Sequence, residues 1–260
     1  KDADHSNKYK LKFKSDWQKS NKYNVKANWI DVTQSRNLVN AKMFEQSTAV
    51  TPFEFEDQME GLANSQALGQ MEGIPVEMYF NGNYYGLMTL NTKKSEESFG
   101  MNDKKEGHEV ISMEHTIPFA KDPDLTIDNK NYEVNIHDEA NNNLKDNFKK
   151  FLTFIKTSSD ADFKEHISDY IDLGSVMNSY LYGIFARMQD FDGKSMMICT
   201  WDNGITYYLT LYDYDSTWGL EWHGRSVDFE HEKWEFRADA QCWACPNNLL
   251  YSRLFKLFKP

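Results

Sequence analysis

Two short apolar runs, Met196-Met197-Ile198-Cys199 and Tyr207-Tyr208-Leu209-Thr210-Leu211-Tyr212, flank the turn-forming Trp201-Asp202-Asn203-Gly204. Runs of this length on either side of a glycine-bearing turn read as a β-hairpin. A hairpin sets its two ends beside each other, and here both ends are acidic. Gln189-Asp190-Phe191-Asp192-Gly193-Lys194-Ser195 leads in, and Asp213-Tyr214-Asp215-Ser216-Thr217-Trp218-Gly219 leads out. Asp213, between Tyr212 and Tyr214, is expected to be buried, and a buried carboxylate is costly unless a cation or hydrogen-bond donors meet it. Asp192-Gly193 also reads as a turn, and Asp215 as a cap on Ser216-Thr217.

Carboxylates converging at strand ends suit a magnesium–nucleotide site, where one acid orients a proton and another holds metal on the phosphates. In protein kinases a catalytic Asp is followed five residues on by a metal-binding Asn, and later by the Asp of a D-F-G segment. Asp190 fits the first place and Asp213 the third, with Asp215 a possible second metal ligand. Asp192 is the alternative catalytic acid. Ser195 stands where the Asn is expected. Its hydroxyl can ligate magnesium but reaches less far than a carboxamide.

The rest of the chain passes from strand-like to helix-like periods. Tyr9–Phe13 and Tyr23–Trp29 alternate apolar and polar residues, as half-solvated strands do. A helix capped near Thr33 or Ser35 follows, with Leu38, Val39, Ala41, Met43 and Phe44 expected on its buried side. Ile74–Phe80 and Tyr84–Leu90 flank Asn81-Gly82, a strong hairpin turn. From Asn91 to about Asn142 the chain is polar and reads as a connecting segment with an irregular insertion. Beyond it, Phe148, Phe151, Leu152 and Ile155 form a helical stripe, Asp160–Tyr170 a shorter helix, Ser175–Met188 a buried one, and Asn248–Phe258 the last. Strands first and helices later predict an α+β fold of two lobes, a strand-rich 1–95 and a helical 96–260 carrying the acidic hairpin, together one domain.

Charge narrows the functions. A formal net charge of -11 argues against nucleic acid, which needs a basic stripe, and against anionic membrane surfaces. No apolar run is long enough to span a membrane, so no membrane insertion is expected. No signal-peptide pattern opens the chain, and secretion stays open because Lys1 need not be the native start. Cys199 reads as a core residue. Cys242-Trp243-Ala244-Cys245 reads as a local disulfide or two thiols more readily than as zinc ligands, since no second pair exists.

Tyr23–Asp31 with Ser35-Arg36-Asn37, the hairpin Tyr79–Leu87, the segment Leu211–Gly219 and Asn247–Leu250 resemble, in order, four blocks of the CotH kinase family. The resemblance covers nearly the whole chain. It implies an atypical protein-kinase-like two-lobe fold and, in some members, phosphate transfer from ATP with Mg2+ to Ser or Thr of a partner protein. It further implies a place at a spore coat, on a cell surface or among secreted proteins. Lys26 would be the phosphate-holding lysine, a point cation with three donors. Glu45, the only acid of the following helix, would be its partner, with Asn37 or Arg36 as alternatives. Asp190 would orient the acceptor hydroxyl and Asp213, with Asp215, would hold the metal. The family's glycine-rich phosphate-covering hairpin has no counterpart before Gly61, so its amides are missing or lie upstream of Lys1. Ser195, this missing hairpin and the tryptophans 218, 222, 234 and 243 support the other reading, a non-catalytic surface or coat module. A carboxylate-pair hydrolase has no motif in its favour.

Overall fold

A computed structural model describes residues 9–55, 57–102, 105, 107–113, 119, 132–136, 142–226 and 248–258. The fold is α+β, with two antiparallel sheets. The first has strand order β1-β3-β2, from β1 (Tyr23–Lys26), β2 (Gly73–Phe80) and β3 (Asn83–Thr92). The second has order β5-β4-β6-β7, from β4 (Glu109–Met113), β5 (Tyr132–Ile136), β6 (Met196–Thr200) and β7 (Tyr208–Leu211). Among the described residues the helices are α1 (Arg36–Ala49), α2 (Glu60–Ala63), α3 (Asn142–Thr157), α4 (Asp160–His166), α5 (Leu173–Phe185) and α6 (Leu249–Leu257).

Both expected hairpins form. Asn81 and Gly82 take φ of 50° and 82°, the pair of left-handed residues that a two-residue turn between twisted strands requires. Strand β6 pairs β7 from Met196↔Leu211 to Cys199↔Tyr208. All residues of β4, β6 and β7 are buried because both faces of this sheet are covered. Ile111, Met196, Ile198, Leu209 and Leu211 face the larger core, with Phe148, Phe151 and Leu152 of α3. Val110, Met197, Cys199 and Tyr208 face the other way, towards Met59, Leu62, Phe99 and Trp201. This is the strand period of two with apolar partners on each side. A fully buried ring such as Phe148 contributes ~1.5–3 kcal/mol.

Several expectations need correction. Tyr9–Phe13 is not a strand: only Leu11 bridges, to Ser20, and all five residues are exposed, so alternation there has no face to bury. The next strand stops at Lys26, because Asn28 is held by Gln34 side-chain bonds instead of a ladder. The polar stretch after Asn91 supplies β4 and β5, so the region from residue 96 carries a sheet as well as helices. In β4 only Val110 and Ile111 form an apolar run, with Glu109 and Ser112 buried beside them. Helix α5 is not buried all round, since Met177, Leu181 and Phe185 are exposed. The buried side of α1 is mainly polar: Asn37, Asn40, Glu45 and Thr48 lie inside with Ala41 and Phe44, while Val39 is exposed. Ser35 is its N-cap but makes no side-chain cap bond. Asp31 instead accepts from the backbone N–H groups of Ser35 and Arg36. Residues Lys1–Lys8, Trp234, Cys242, Trp243 and Cys245 lie outside the described residues. No helix of the described residues is long and apolar enough to cross a membrane.

Gly183 of α5 lies against the loop before β6. A Cβ there would stand 2.2 Å from Cγ of Phe191, a fully buried ring between Asp190 and Asp192. Gly183→Ala should therefore displace Phe191 and lower stability by roughly 1–3 kcal/mol. Urea unfolding should report it as a lower midpoint with an unchanged slope. A wild-type midpoint would mean that α5 does not hold this loop.

Candidate functional site

The site is built where the end of β1 meets the two ends of the β6–β7 hairpin. Tyr212 donates its backbone N–H to the carbonyl of Ser195, one step beyond the last ladder pair. The two acidic segments therefore leave the sheet side by side. Asp213 then takes φ of 59°, a left-handed conformation rarely held by non-glycine residues and concentrated at functional sites. Lys26 Nζ lies 3.5 Å from Asp213 Oδ1. The Asp213 side chain is not buried as expected but 38% exposed, because only Oδ1 is turned inward; that atom accepts no hydrogen bond, and the Lys26 ammonium is the cation that answers it.

Asp190 lies at the other hairpin end. Burial pushes its carboxyl up, and the Asp213 charge adds to this. A hydrogen bond with Ser195 and the Lys194 ammonium, 3.7 Å away, oppose the shift. Asp215 is pushed up to about 6 by burial and by the charges of Asp213 and Asp190, against the pull of Lys26. It also accepts a hydrogen bond from the backbone of Ser216, as a local cap would. Lys26, Asp190, Asp213, Asp215 and Ser195 thus form one electrostatic group. Asp192 is placed differently. It is fully buried, its backbone carbonyl accepts from Asn248 at the start of α6, and its charge bears on the Tyr251 hydroxyl. Glu45 does not meet Lys26: its carboxylate pairs with Lys42 at 2.6 Å, on its own helix.

Of these acids Asp213 lines a cavity of ≈ 270 Å³ between the sheets. Lys26, Lys93 and Lys94 line it with Asn28, Asn37 and Asp213, and Met71, Met197 and Tyr212 supply apolar wall. Lys94 Nζ sits 4.3 Å from the centre of the Tyr212 ring and donates to Ser112 Oγ. Three lysines in one cavity of so acidic a chain favour an anionic ligand. Lys93 and Lys94 carry no sequence signal, since a Lys-Lys pair after a strand has no motif value on its own.

Among the described residues no group of three or more His, Cys, Asp or Glu side chains is arranged to hold a metal ion. Magnesium ordinarily takes only one or two protein carboxylates and completes its shell with phosphate oxygens and water. The oxygen of Asp213 that accepts no hydrogen bond, and the repulsion between Asp213 and Asp215, are compatible with a cation held by these two carboxylates.

The segment after Asp213 is anchored from below. Tyr214 is fully buried, packs against Phe44 and Tyr182, and donates its hydroxyl to Gln70 Oε1 at 2.6 Å. Trp218 packs on Phe185, whereas Trp222 is exposed, with its backbone N–H on Gln189 Oε1.

A family model described as CotH kinase protein matches residues 3–257, nearly the whole chain. No curated protein matches.

The raised Asp215 acid has a consequence for stability. Between its ordinary 3.8 and about 6, the folded state holds a proton that the unfolded state gives up. Stability is thereby lost as pH rises through that window. Asp215→Asn should raise the melting temperature at about pH 8 and give little gain at about pH 4. Equal melting temperatures at the higher pH would show that neither burial nor the neighbouring acids penalise the Asp215 charge.

Proposed function

The chain belongs to the CotH kinase family, and we propose that it transfers the terminal phosphoryl group of ATP to a Ser or Thr hydroxyl of a partner protein, with a two-lobe kinase-like division between the sheets. The observation that carries this reading is the pairing of Lys26 with Asp213 at a lysine-lined cavity, with Asp215 and Asp190 within electrostatic reach of that pair.

ATP is the substrate, with its phosphates towards Lys26. The Lys26 ammonium exchanges Asp213 for phosphate oxygens and neutralises them. Asp213, with Asp215, would hold Mg2+, which supplies charge neutralisation to the phosphates. Asp190 accepts the proton of the acceptor hydroxyl as the new O–P bond forms and the bond to the leaving ADP oxygen breaks. Burial suits Asp190 to this task, because a carboxyl pushed up is a stronger base. Ser195 and Lys194 fix the direction of its oxygens.

A non-catalytic module is the second reading. It is favoured by Ser195, whose hydroxyl is engaged with Asp190 where the kinase pattern has a metal-binding Asn. Partner binding would then be the whole function.

Radiolabel transfer from ATP to Ser-rich peptides and to the protein itself separates the two. Asp190→Ala should cut transfer by about 10²–10⁴-fold and leave magnesium-dependent nucleotide binding nearly intact. Asp213→Ala should remove the nucleotide-induced rise in stability, ~2.7 kcal/mol at a hundredfold excess over the dissociation constant. A wild type that transfers no phosphate with any divalent metal would decide for the binding module. Transfer indifferent to Asp190→Ala would put the catalytic acid elsewhere.

A further inference from the structure

Lys26 and Asp213 sit on separate sheets' margins, so something must fix their separation. Glu45 does not, because it is committed to Lys42. The first turns of α1 touch both sides instead. Asn37 donates its Nδ2 to Asn28 Oδ1 at 3.2 Å, two residues beyond Lys26. Its Oδ1 accepts the backbone N–H of Tyr214 at 2.6 Å, the residue directly after Asp213. Asn37 is buried and also lines the cavity. Neighbouring residues of the helix reinforce the grip. Arg36 donates to the Thr217 carbonyl at 3.3 Å, and Asn40 donates to Thr217 Oγ1 at 3.1 Å. Trp218 Nε1 donates to Asn40 Oδ1 at 2.9 Å.

We infer that Asn37 is a positioning residue that sets Asp213 against Lys26, a carboxamide bridge between β1 and the Asp213 segment. A carboxamide can do this because it donates on one side and accepts on the other, which a carboxylate cannot. The backbone at Asp213 is in a sparsely populated conformation, which persists only when its surroundings over-determine it. The bond to the very next N–H supplies that restraint. The consequence for nucleotide binding rests on the phosphotransfer reading, while the positioning role itself does not.

Amide hydrogen exchange resolved at Tyr214 tests the inference, with Ile198 in β6 as the monitor of global opening. In Asn37→Ala the Tyr214 amide should exchange at least about tenfold faster while Ile198 is unchanged, as expected for a lost buried hydrogen bond. Asn37→Asp should keep the Tyr214 amide protected, because the carboxylate still accepts. Should Asn37→Ala fail to fold, Asn37→Ser takes its place, its side chain being too short to span both partners. Unchanged exchange at Tyr214, or equal acceleration at both amides, would overturn the positioning role. The dissociation constant for magnesium–ATP should rise about tenfold in Asn37→Ala. A wild type that binds no magnesium–ATP would remove the phosphotransfer reading, and the exchange result would still decide the role of Asn37.

Discussion

The pairing of Met196 with Leu211 governs where every acid of the site lies. One further bond, from Tyr212 to Ser195, keeps the two chains together just before they diverge into Asp190 and Asp213. Because side chains alternate across a strand, a slip of one residue would exchange the two faces. Met196 and Ile198 would leave the larger core for the smaller one, and Met197 and Cys199 would take their place. Both cores are close-packed, so such a slip is opposed on two sides at once. The acids inherit their positions from this apolar specificity and need no attraction of their own.

Helix α1 shows the opposite economy. Its inner face carries Asn37, Asn40, Glu45 and Thr48, which cost free energy to bury unless they are bonded. Most of that bonding reaches across the fold. Asn37 and Asn40 reach the chain after Asp213, and Asn40 also accepts the Tyr182 hydroxyl at 2.9 Å. Thr48 accepts from Asn178 on α5. An apolar face would have packed with less directional demand. A polar one fixes the helix in one rotation and one height, because each amide has its own partner.

The turns were the most legible part of the fold. Asn81-Gly82 and Trp201–Gly204 fixed two hairpins because turn chemistry is local. The stripe through Phe148, Phe151 and Ile155 is legible because α3 covers one face of a sheet. Strands β4 and β5 were not legible, since Glu109 and Ser112 break the apolar pattern and are accommodated only by tertiary contacts. For α1, the expectation of an apolar inner side failed for the same reason: Val39 turns outward and amides turn in. Of the residues that the sequence singles out as candidates, Asp213 and Lys26 lie together. The cavity lysines 93 and 94 had no pattern to betray them. Glu45 illustrates the limit of choosing a partner by residue type, because Lys42, three residues before it on the same helix, takes its carboxylate.

Two ion pairs in this structure differ in a way that suits binding. Asp31 is completely buried, and its Arg36 partner stands 2.6 Å away. Burial pushes the Asp31 carboxyl up, but the bonds from Thr33 and Arg36 and the guanidinium charge outweigh it and hold the acid below its ordinary value. Removing either partner would strand a charge, so this pair is permanent scaffolding at the start of α1. Lys26 and Asp213 are 48% and 38% exposed and 3.5 Å apart. An exposed pair of that kind contributes only about 0–1 kcal/mol. It can be opened by an anion at Lys26 and a cation at Asp213 with little loss. The buried pair thus holds α1 in place, α1 holds the Asp213 segment through Asn37, and the weak pair at the end of that chain is the one free to exchange its partners for a ligand.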